Sequence, residues 1–319
     1  MVSPSTATPW SWIAQRVQHH TAHLSPTARA LLWAATAGLL FSLLNSLMRA
    51  LAQDIHPFQA QFLRYACGMA VLMPLVLRYG MAAYRPKNIG GQFARGALHT
   101  VALFFWFAAL PQIPLANMTA IGFSTPLFIM LGAYVFLREP MRWERWVATA
   151  LGFAGVMMVV GPQFGVGASG SSSGWYHLLM LASAPLFAAS FLVTKALTRY
   201  ETTGTILVWQ AITVTLLSLP MALLHWSAPS AWQWAGFLLS GVLGSAGHYC
   251  ITRSFKQADI SATQSLKFLD LVWSALMGWL LFSDVPTAHA IIGGVVISAA
   301  TIWVARRESR SSPVASQEM

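Results

Sequence analysis

The sequence is poor in charge, and that scarcity excludes a soluble globular protein. Only 9% of its 319 residues are charged, whereas 56% are hydrophobic, and the mean hydropathy is +0.58. A soluble domain carries about 25% charged residues, so this chain has too little polar surface to stay in water. At about 20 residues per membrane-spanning helix plus a short connection, the length accommodates roughly ten helices and leaves no room for a soluble domain of ordinary size.

Cysteine and acidic residues are also scarce. The two cysteines, Cys67 and Cys250, both lie in apolar runs, which excludes a disulfide framework and a cysteine-ligated metal site. The chain has nine acidic and 19 basic residues, which give a net charge of +10. In a membrane protein such an excess sets orientation, so it does not indicate binding to nucleic acid.

The motifs of membrane-bound catalysis and of nucleotide use are missing too. No helix carries two histidines flanking a glutamate on one face, and no glycine-rich phosphate-binding loop occurs. His99 and His248 have no second histidine or carboxylate at metal-ligand spacing. We therefore expect a protein that is not an enzyme, holds no cofactor or metal, and does not use ATP directly.

What the sequence does contain is a series of long apolar runs bounded by charge, proline or glycine. Such runs predict an all-α integral membrane protein with ten transmembrane helices. The helices are predicted near residues 30–51, 58–79, 93–112, 115–137, 143–161, 175–197, 204–224, 233–254, 261–282 and 287–305.

These helices divide the chain into two sets of five. Residues 1–27 lack the apolar core of a cleaved signal and are expected to remain as an N-terminal tail. The other predicted units are a first repeat at 28–161, a Gly/Ser-rich linker at 162–174, a second repeat at 175–305 and a C-terminal tail at 306–319.

Orientation follows from the basic residues. If the N-terminus is cytoplasmic, sixteen of the 19 basic residues fall on that side, and none lies in a loop on the other. The positive-inside rule then predicts a multi-pass protein of the inner membrane with both termini in the cytoplasm. The sixteen are Arg16, Arg29, Arg78, Arg85, Lys87, Arg95, Arg138, Arg142, Arg145, Lys195, Arg199, Arg253, Lys256, Arg306, Arg307 and Arg310.

The two halves also look like copies of each other. An offset of 146 residues places Arg64 on Gln210, and an offset of 145 places Phe123 on Phe268 and Glu139 on Asp284. Because each half has an odd number of helices, the second copy must enter the membrane upside down. Inverted five-helix repeats of this kind are typical of secondary transporters.

The motifs of both halves resemble the EamA repeat of the drug/metabolite transporter superfamily. The first copy has Phe-Ser-Thr-Pro-Leu-Phe at 123–128 and Leu-Arg-Glu-Pro at 137–140; the second has Leu-Leu-Phe-Ser-Asp-Val-Pro at 280–286. Further matching stretches lie at 107–110, 114–117, 151–156 and 292–297. The resemblance implies a ten-helix carrier whose cavity is lined mainly by helices 1–4 and 6–9. The second copy departs from the pattern with Asp284 for Glu and Phe268 where Tyr is common.

Buried charge marks the candidate substrate-binding residues, because an unpaired charge near the bilayer centre is costly. Lys267 and Asp270 are three residues apart on one helical face and can neutralise each other. In one interpretation a substrate anion takes over Lys267, or Asp270 accepts a proton, so that the pair opens during transport. In the other, the pair is permanent and structural.

Arg64 is the second candidate, since an arginine within helix 2 can hold an oxyanion through two parallel hydrogen bonds. The alternative is that its long side chain reaches out to the lipid headgroups. His99 and His248 lie on matching helices and can hydrogen bond across a cavity, or can simply be satisfied by packing. Trp106 and Trp273 are candidate stacking surfaces for a planar substrate, although aromatic residues also pack helices.

Together these features predict a secondary active transporter that moves a small organic metabolite, anionic or aromatic in character, by alternating access. Its other expected partners are the lipid bilayer and, in a coupled mechanism, protons. A passive channel or facilitator for small metabolites and a membrane scaffold that does not transport are the competing interpretations. Concentrative uptake distinguishes a coupled carrier from both.

Overall fold

In a computed structural model of the chain, residues 24–51, 54–109, 121–140, 142–160, 173–282 and 288–311 can be described. Within them the regular structure is helical, with no strand. The helices are α1 (Pro26–Leu51), α2 (Pro57–Tyr79), α3 (Ile89–Ala109), α4 (Thr125–Leu137), α5 (Trp143–Val160), α6 (Ser173–Leu197), α7 (Thr203–Leu224), α8 (Ala231–Gln257), α9 (Leu269–Phe282) and α10 (Ala288–Ser311). A short 3₁₀ helix, Met81–Tyr84, lies between α2 and α3.

Most predicted helix boundaries agree with these bounds to within a few residues, and two do not. The ninth helix, predicted as one piece from residue 261, is broken: a helical turn at Ile260–Thr263 leads into a 3₁₀ segment at Gln264–Phe268 before α9 begins. The last helix continues past the predicted end at residue 305 to Ser311. The predicted start of the fourth helix at residue 115 and most of the linker lie outside the described residues.

Local sequence explains how several helices begin. Pro57 occupies the first turn of α2, where its missing N–H costs nothing, and His56 Nδ1 accepts a hydrogen bond from the amide of Phe58 at 3.3 Å. Thr202 begins α7 in the same manner, with its hydroxyl accepting from the amide of Thr205 at 3.0 Å. Such caps satisfy amides that have no partner within the helix.

The outer surface of the bundle is apolar. In the part of the chain that the structure describes, four helical spans are long and apolar enough to cross a membrane: Pro26–Met48, Pro57–Tyr79, Trp175–Leu197 and Thr203–Leu224. Large apolar side chains are exposed on other helices as well, such as Phe136 at 77% on α4. An exposed apolar surface of this kind suits contact with lipid.

Helix packing repeats when the two halves are exchanged. The contact between α1 and α8 corresponds to the contact between α6 and α3. In the same way, the contact between α2 and α8 corresponds to that between α7 and α3, and the contact between α9 and α1 corresponds to that between α4 and α6. The remaining extensive contacts, α2 with α7 and α5 with α10, join a helix to its own counterpart. The structure therefore has the pseudo-twofold pattern of packing that the internal sequence similarity predicts.

Two details show how closely this symmetry is followed. Phe123 and Phe268, which correspond to each other, stack with ring centroids 5.5 Å apart and planes 19° apart. Gly241 approaches the backbone of Cys67, and the corresponding Gly96 approaches the corresponding Thr213. Small residues at these crossings let the helices come close.

Candidate substrate-binding site

A buried polar centre lies where α2, α3 and α8 meet. The Tyr65 hydroxyl is 2.8 Å from His99 Nε2 and 3.3 Å from His248 Nε2. The two imidazole rings contact each other edge to face, with centroids 5.6 Å apart. The structure thus brings together the two predicted histidines, and it joins them through Tyr65, which sequence analysis did not place among the binding residues.

Arg95 extends this centre towards α6 and α7. Its Nε donates to Thr194 Oγ1 at 2.6 Å, its Nη1 donates to the carbonyl of Ile206 at 2.9 Å, and its Nη2 donates to Gln210 Oε1. The Gln210 side-chain amide nitrogen lies 3.3 Å from His248 Nε2. One hydrogen-bonded network therefore joins residues of both halves.

Arg95 has a structural role that its place among the residues counted for membrane orientation did not predict. Arg95 lies in the second turn of α3 and is only 3% exposed. The sequence did not reveal the burial of Arg95, because a position near the end of a helix does not show whether the side chain points into the bundle. Among the described residues, the hydrogen-bond partners of its side chain are all neutral, so the centre carries uncompensated positive charge.

Arg64 faces a narrow cleft beside this centre. The cleft is partly open, and its polar lining is formed by Arg64, Tyr65, Gln210, Ser245 and His248. The guanidinium carbon lies 5.3 Å from the Tyr65 ring centroid, within cation–π range. The glycines of α8 that line the cleft leave this space unfilled by side chains. The geometry suits Arg64 to receive a polar group.

Trp106 lies apart from the cleft lining. It packs edge to face on Phe107 with centroids 4.9 Å apart and touches the apolar cluster that includes Leu103 and Val214. In the described structure it serves helix packing, so its predicted stacking on substrate stays a prediction.

A second cleft contains the predicted ion pair. Lys267 Nζ lies 3.1 Å from Asp270 Oδ2, each side chain is 27% exposed, and both line a narrow, partly open space between the helices. The Lys267 ammonium is also 5.5 Å from the Phe41 ring centroid. Lys267 belongs to the 3₁₀ segment and Asp270 to the first turn of α9, so the break in the helix positions the pair.

Trp273 stands beside this pair. A Cβ built on Gly38 of α1 would meet both the Asp270 carboxylate and, at 3.6 Å, Cδ1 of Trp273. Glycine at position 38 is therefore required for the close approach of α1 to α9. Of the seven predicted binding residues, Arg64 and His248 line the first cleft and Lys267 and Asp270 line the second. His99, Trp106 and Trp273 are not among the lining residues of either cleft.

Polar side chains at the connecting ends of the helices tie the two halves together. Glu139, which follows α4, is buried and accepts from the amides of Ile260 and Ser261 at 2.9 and 3.1 Å and from the Ser261 hydroxyl at 2.6 Å. Arg145 donates to the same hydroxyl at 2.6 Å and lies 3.2 Å from Asp259. We call Glu139, Arg145, Asp259, Ile260 and Ser261 the α4–α9 clamp.

Two residues assigned to membrane orientation from the sequence also have structural partners. Arg145 is buried within α5 and belongs to the clamp, and Lys195 Nζ donates to the carbonyls of Phe255 and Ala258 at 2.7 and 2.5 Å. The positive-inside pattern gave no sign of these roles. The sequence motif at 137–140, which contains Glu139, was the available signal for the clamp.

Comparison with known proteins agrees with this architecture. Residues 28–161 and 174–306 each match the EamA-like transporter family. The chain is 33% identical over 282 residues to the riboflavin transporter of Rhizobium johnstonii, covering 88% of this chain and 91% of the relative. It is 28% identical over 274 residues to the S-adenosylmethionine uptake transporter of Rickettsia prowazekii, covering 86% and 91%.

Other similarities extend the range of named substrates. The pseudopaline exporter of Pseudomonas aeruginosa is 28% identical over 277 residues, covering 86% of this chain and 95% of the relative. A solved crystal structure with 22% identity has the same fold, with a TM-score of 0.76 over 88% of this chain and 97% of the other.

The class of protein is therefore a helical, multi-pass membrane transporter, and it is not an enzyme. Within that class, the chain belongs to the EamA-like transporter family, with two copies of the family's repeat.

Proposed function

We propose that this protein is a secondary active carrier that moves a small organic metabolite across the inner membrane by alternating access. Its ten helices span the membrane as two inverted five-helix repeats, and both termini are cytoplasmic. The single observation that carries the proposal is the hydrogen-bonded network of Tyr65, Arg95, His99, Gln210 and His248, which draws on both halves at the centre of a pseudo-symmetric bundle.

The packing supports alternating access because a symmetric bundle has two equivalent ways to open. If the halves exchange conformations, the contacts of one side become those of the other, and the central site faces each side in turn. The site lies between helices that have counterparts in each half, and α5 and α10 contact each other outside it.

The substrates named for the relatives guide the first transport assay. Riboflavin and S-adenosylmethionine are the first candidates, tested as radiolabelled compounds in liposomes containing the purified protein. A coupled carrier accumulates its substrate against a gradient when a proton gradient is imposed. Equilibration without accumulation under every imposed gradient would instead indicate a passive facilitator. Absence of uptake and of counterflow for all metabolites in a broad screen would contradict transport.

Topology is tested with single cysteines in a protein that lacks Cys67 and Cys250. A cysteine at the exposed Lys87, between α2 and α3, is expected to resist an impermeant thiol reagent in intact cells, whereas one at Ser171 is expected to react. Labelling of position 87 from outside would contradict cytoplasmic termini.

Arg64 is expected to contribute to substrate binding through its planar guanidinium. Arg64→Lys keeps the charge but loses the bidentate geometry, so uptake is expected to fall at least tenfold while insertion stays normal. Arg78→Lys is the matched control, because Arg78 is exposed in the last turn of the same helix. Wild-type uptake by both Arg64→Lys and Arg64→Gln would show that Arg64 is only an anchor.

A further inference from the structure

Two stacked imidazole rings hold together the turns at one end of the bundle. His56 precedes α2 and His225 follows α7, and their ring centroids lie 3.9 Å apart with planes 12° apart. The Gln59 side chain adds to this contact: its Nε2 donates to the carbonyl of Ser227 at 2.5 Å, and its Oε1 accepts from the Ser227 amide at 2.9 Å. We call these four residues the outer latch, because the proposed topology places them outside the cytoplasm. The latch joins the first half of the chain to the second.

An equivalent contact lies at the opposite end of α2 and α7. The repeat offset of 146 relates His56 to Thr202, so the turn before α2 corresponds to the turn before α7. The turn after α7 likewise corresponds to the connection after α2. At that end, Glu201 Oε1 accepts from the amides of Lys87 and Asn88 at 2.7 and 3.1 Å. The two contacts therefore join equivalent segments, but the one at Glu201 uses a carboxylate where the outer latch uses histidines.

The two histidines are accessible to protons from water. Both His56 and His225 are exposed, and so is Asp54, which is the only other ionisable residue in the two turns. The neighbouring helices add apolar rings, since Phe58 of α2 packs against Phe104 of α3. The whole of α7 carries no ionisable residue, and neither do the first turns of α2 and α8 or the last turns of α3. The charge of the latch is therefore set by the histidines and Asp54.

Protonation weakens the latch. Neutral imidazoles stack, whereas two positive charges about 4 Å apart in water repel by enough to shift an equilibrium about fivefold. A proton on His56 Nδ1 also removes the acceptor for the Phe58 amide, which lies 3.3 Å away. Burial and, to a smaller degree, His225 lower the pKa of His56 below its ordinary value. The closed latch is thus stabilised above the ordinary pKa and loses this stabilisation as pH falls through the lowered pKa.

Phe58 connects the latch to the centre of the bundle. Its ring lies 6.2 Å from the His225 ring, centroid to centroid, and it packs against the apolar cluster that includes Tyr65. The Tyr65 hydroxyl in turn contacts His99 and His248 in the central polar network. Direct contacts therefore join the latch to the candidate substrate-binding site.

We propose that the outer latch is a proton-sensitive switch: protonation of His56 and His225 releases it and favours the conformation whose site opens to the outside. This inference rests on the proposed carrier function and adds to it a regulation by external acid. Histidine is the side chain whose ordinary titration falls between about pH 5 and 8. Because the contact at Glu201 has no histidine, mild acidification is expected to act at the outer end.

The test measures the distance between two spin labels across the latch in the full-length protein, reconstituted in lipid nanodiscs. The labels are attached to Asp54→Cys and Ala228→Cys, both at exposed positions, in a protein that lacks Cys67 and Cys250. Asp54→Cys also removes the one carboxylate of the two turns. Between about pH 7.5 and about pH 5.5, the population of a second, longer distance is expected to rise about fivefold relative to the short one.

A variant without the two histidines shows whether they cause the change. His56→Asn combined with His225→Asn removes both titratable rings, and asparagine at position 56 keeps a capping acceptor for α2. Its distance distribution is expected to be the same at both pH values. Labels at the exposed Lys87 and Arg199, across the equivalent contact, are the control and are expected to show no such rise. The proposal is overturned by a distance that does not respond to pH, by an equal response in the variant, or by an equal rise at the control pair.

Two outcomes distinguish this inference from the transport proposal. If the distance across the latch does not change with pH, but liposomes containing the protein accumulate a metabolite, the switch is wrong and the carrier function stands. If the distance changes with pH through the two histidines and no metabolite crosses the membrane, the switch stands and the transport function is contradicted.

Discussion

The break before α9 and the corresponding break before α4 share a backbone feature and differ in chemistry. In the first half, the chain is helical at Ile121 and Gly122, turns at Phe123 and Ser124, and resumes as α4 at Thr125. In the second half, the positions that correspond to Gly122 and Thr125 are Lys267 and Asp270. The symmetry of the fold therefore does not extend to charge: at these two positions the second half has an ion pair, whereas the first half has a glycine and a threonine.

The side chains that line the central cleft also differ between the two halves. Arg64 and Gln210 correspond to each other and both line it, but one is a cation and the other a neutral amide that also binds Arg95. Backbone packing must be alike in both halves for the two to exchange conformations. A site for one asymmetric molecule has no such requirement, so its side chains can diverge.

The largest expected effect concerns the two corresponding glycine crossings. A Cβ at Gly241 would lie 2.7 Å from the backbone carbon of Cys67 and 2.7 Å from the amide nitrogen of Gly68, so α2 and α8 would have to separate. We expect Gly241→Ala to destabilise the protein by about 3 kcal/mol or more. At Gly96 the new Cβ would meet the Thr213 side chain, and rotation of that side chain relieves the contact with Oγ1 but not the contact with Cβ at 2.5 Å. Gly96→Ala is therefore expected to cost about 2 to 3 kcal/mol, less than Gly241→Ala, where the obstacle is backbone.

Melting temperatures of the purified variants measure this difference. Gly294→Ala is the control, because the nearest atom to its new Cβ is Val272 Cγ2 at 3.9 Å, and its melting temperature is expected to stay at or slightly above that of the wild type. Equal losses at Gly241 and Gly96 would show that the two crossings are equivalent after all.

The next effect concerns the α4–α9 clamp. Glu139→Gln preserves shape but places an NH₂ group opposite a backbone donor at Ile260 or Ser261. We expect a loss of about 2 to 3 kcal/mol, seen as a lower melting temperature. Asp54→Asn is the control, because Asp54 is exposed in the connection between α1 and α2. Its cost is expected to stay below about 0.5 kcal/mol. A similar decrease in melting temperature in both variants would show that the clamp does not stabilise the protein.

The smallest effect concerns the corresponding caps of α2 and α7, one titratable and one not. Burial and, to a smaller degree, the neighbouring His225 lower the pKa of His56 below its ordinary value. The two rings stack with centroids 3.9 Å apart. Because His56 Nδ1 accepts a hydrogen bond, its neutral form makes the cap. The stabilisation is therefore present above the unfolded pKa and is lost as pH falls through the lower folded pKa.

Melting temperatures recorded from about pH 7 to about pH 5 test this difference. His56→Asn keeps a capping acceptor that does not titrate, so the decrease on acidification is expected to be smaller than in the wild type. Thr202→Ala is expected to lower the melting temperature by the same amount throughout this range. An unchanged pH dependence in His56→Asn would show that the histidine cap does not respond to protons.

Sequence reasoning succeeded where a residue's role follows from its immediate neighbours. Apolar runs predicted where helices lie, because the bilayer and the helix period constrain them locally. Spacing three apart predicted that Lys267 and Asp270 meet. The repeat offset placed Phe123 on Phe268, which stack in the structure. Matching helices suggested that His99 and His248 work together, but the sequence did not indicate that Tyr65 joins them.

The sequence by itself determined the helical membrane architecture, the family and the internal repeat, since composition and short motifs carry these directly. Only the tertiary structure decided that Arg95 and Arg145 are buried and that Glu139 holds the turn at Ile260 and Ser261. It also decided that Arg64 and His248 line one cleft while Lys267 and Asp270 line another. The physical reason is distance along the chain. Arg95 donates a hydrogen bond to Gln210, and Glu139 accepts one from Ser261, and the partners in each pair are more than 100 residues apart in the sequence. No local sequence pattern shows which helix faces will meet.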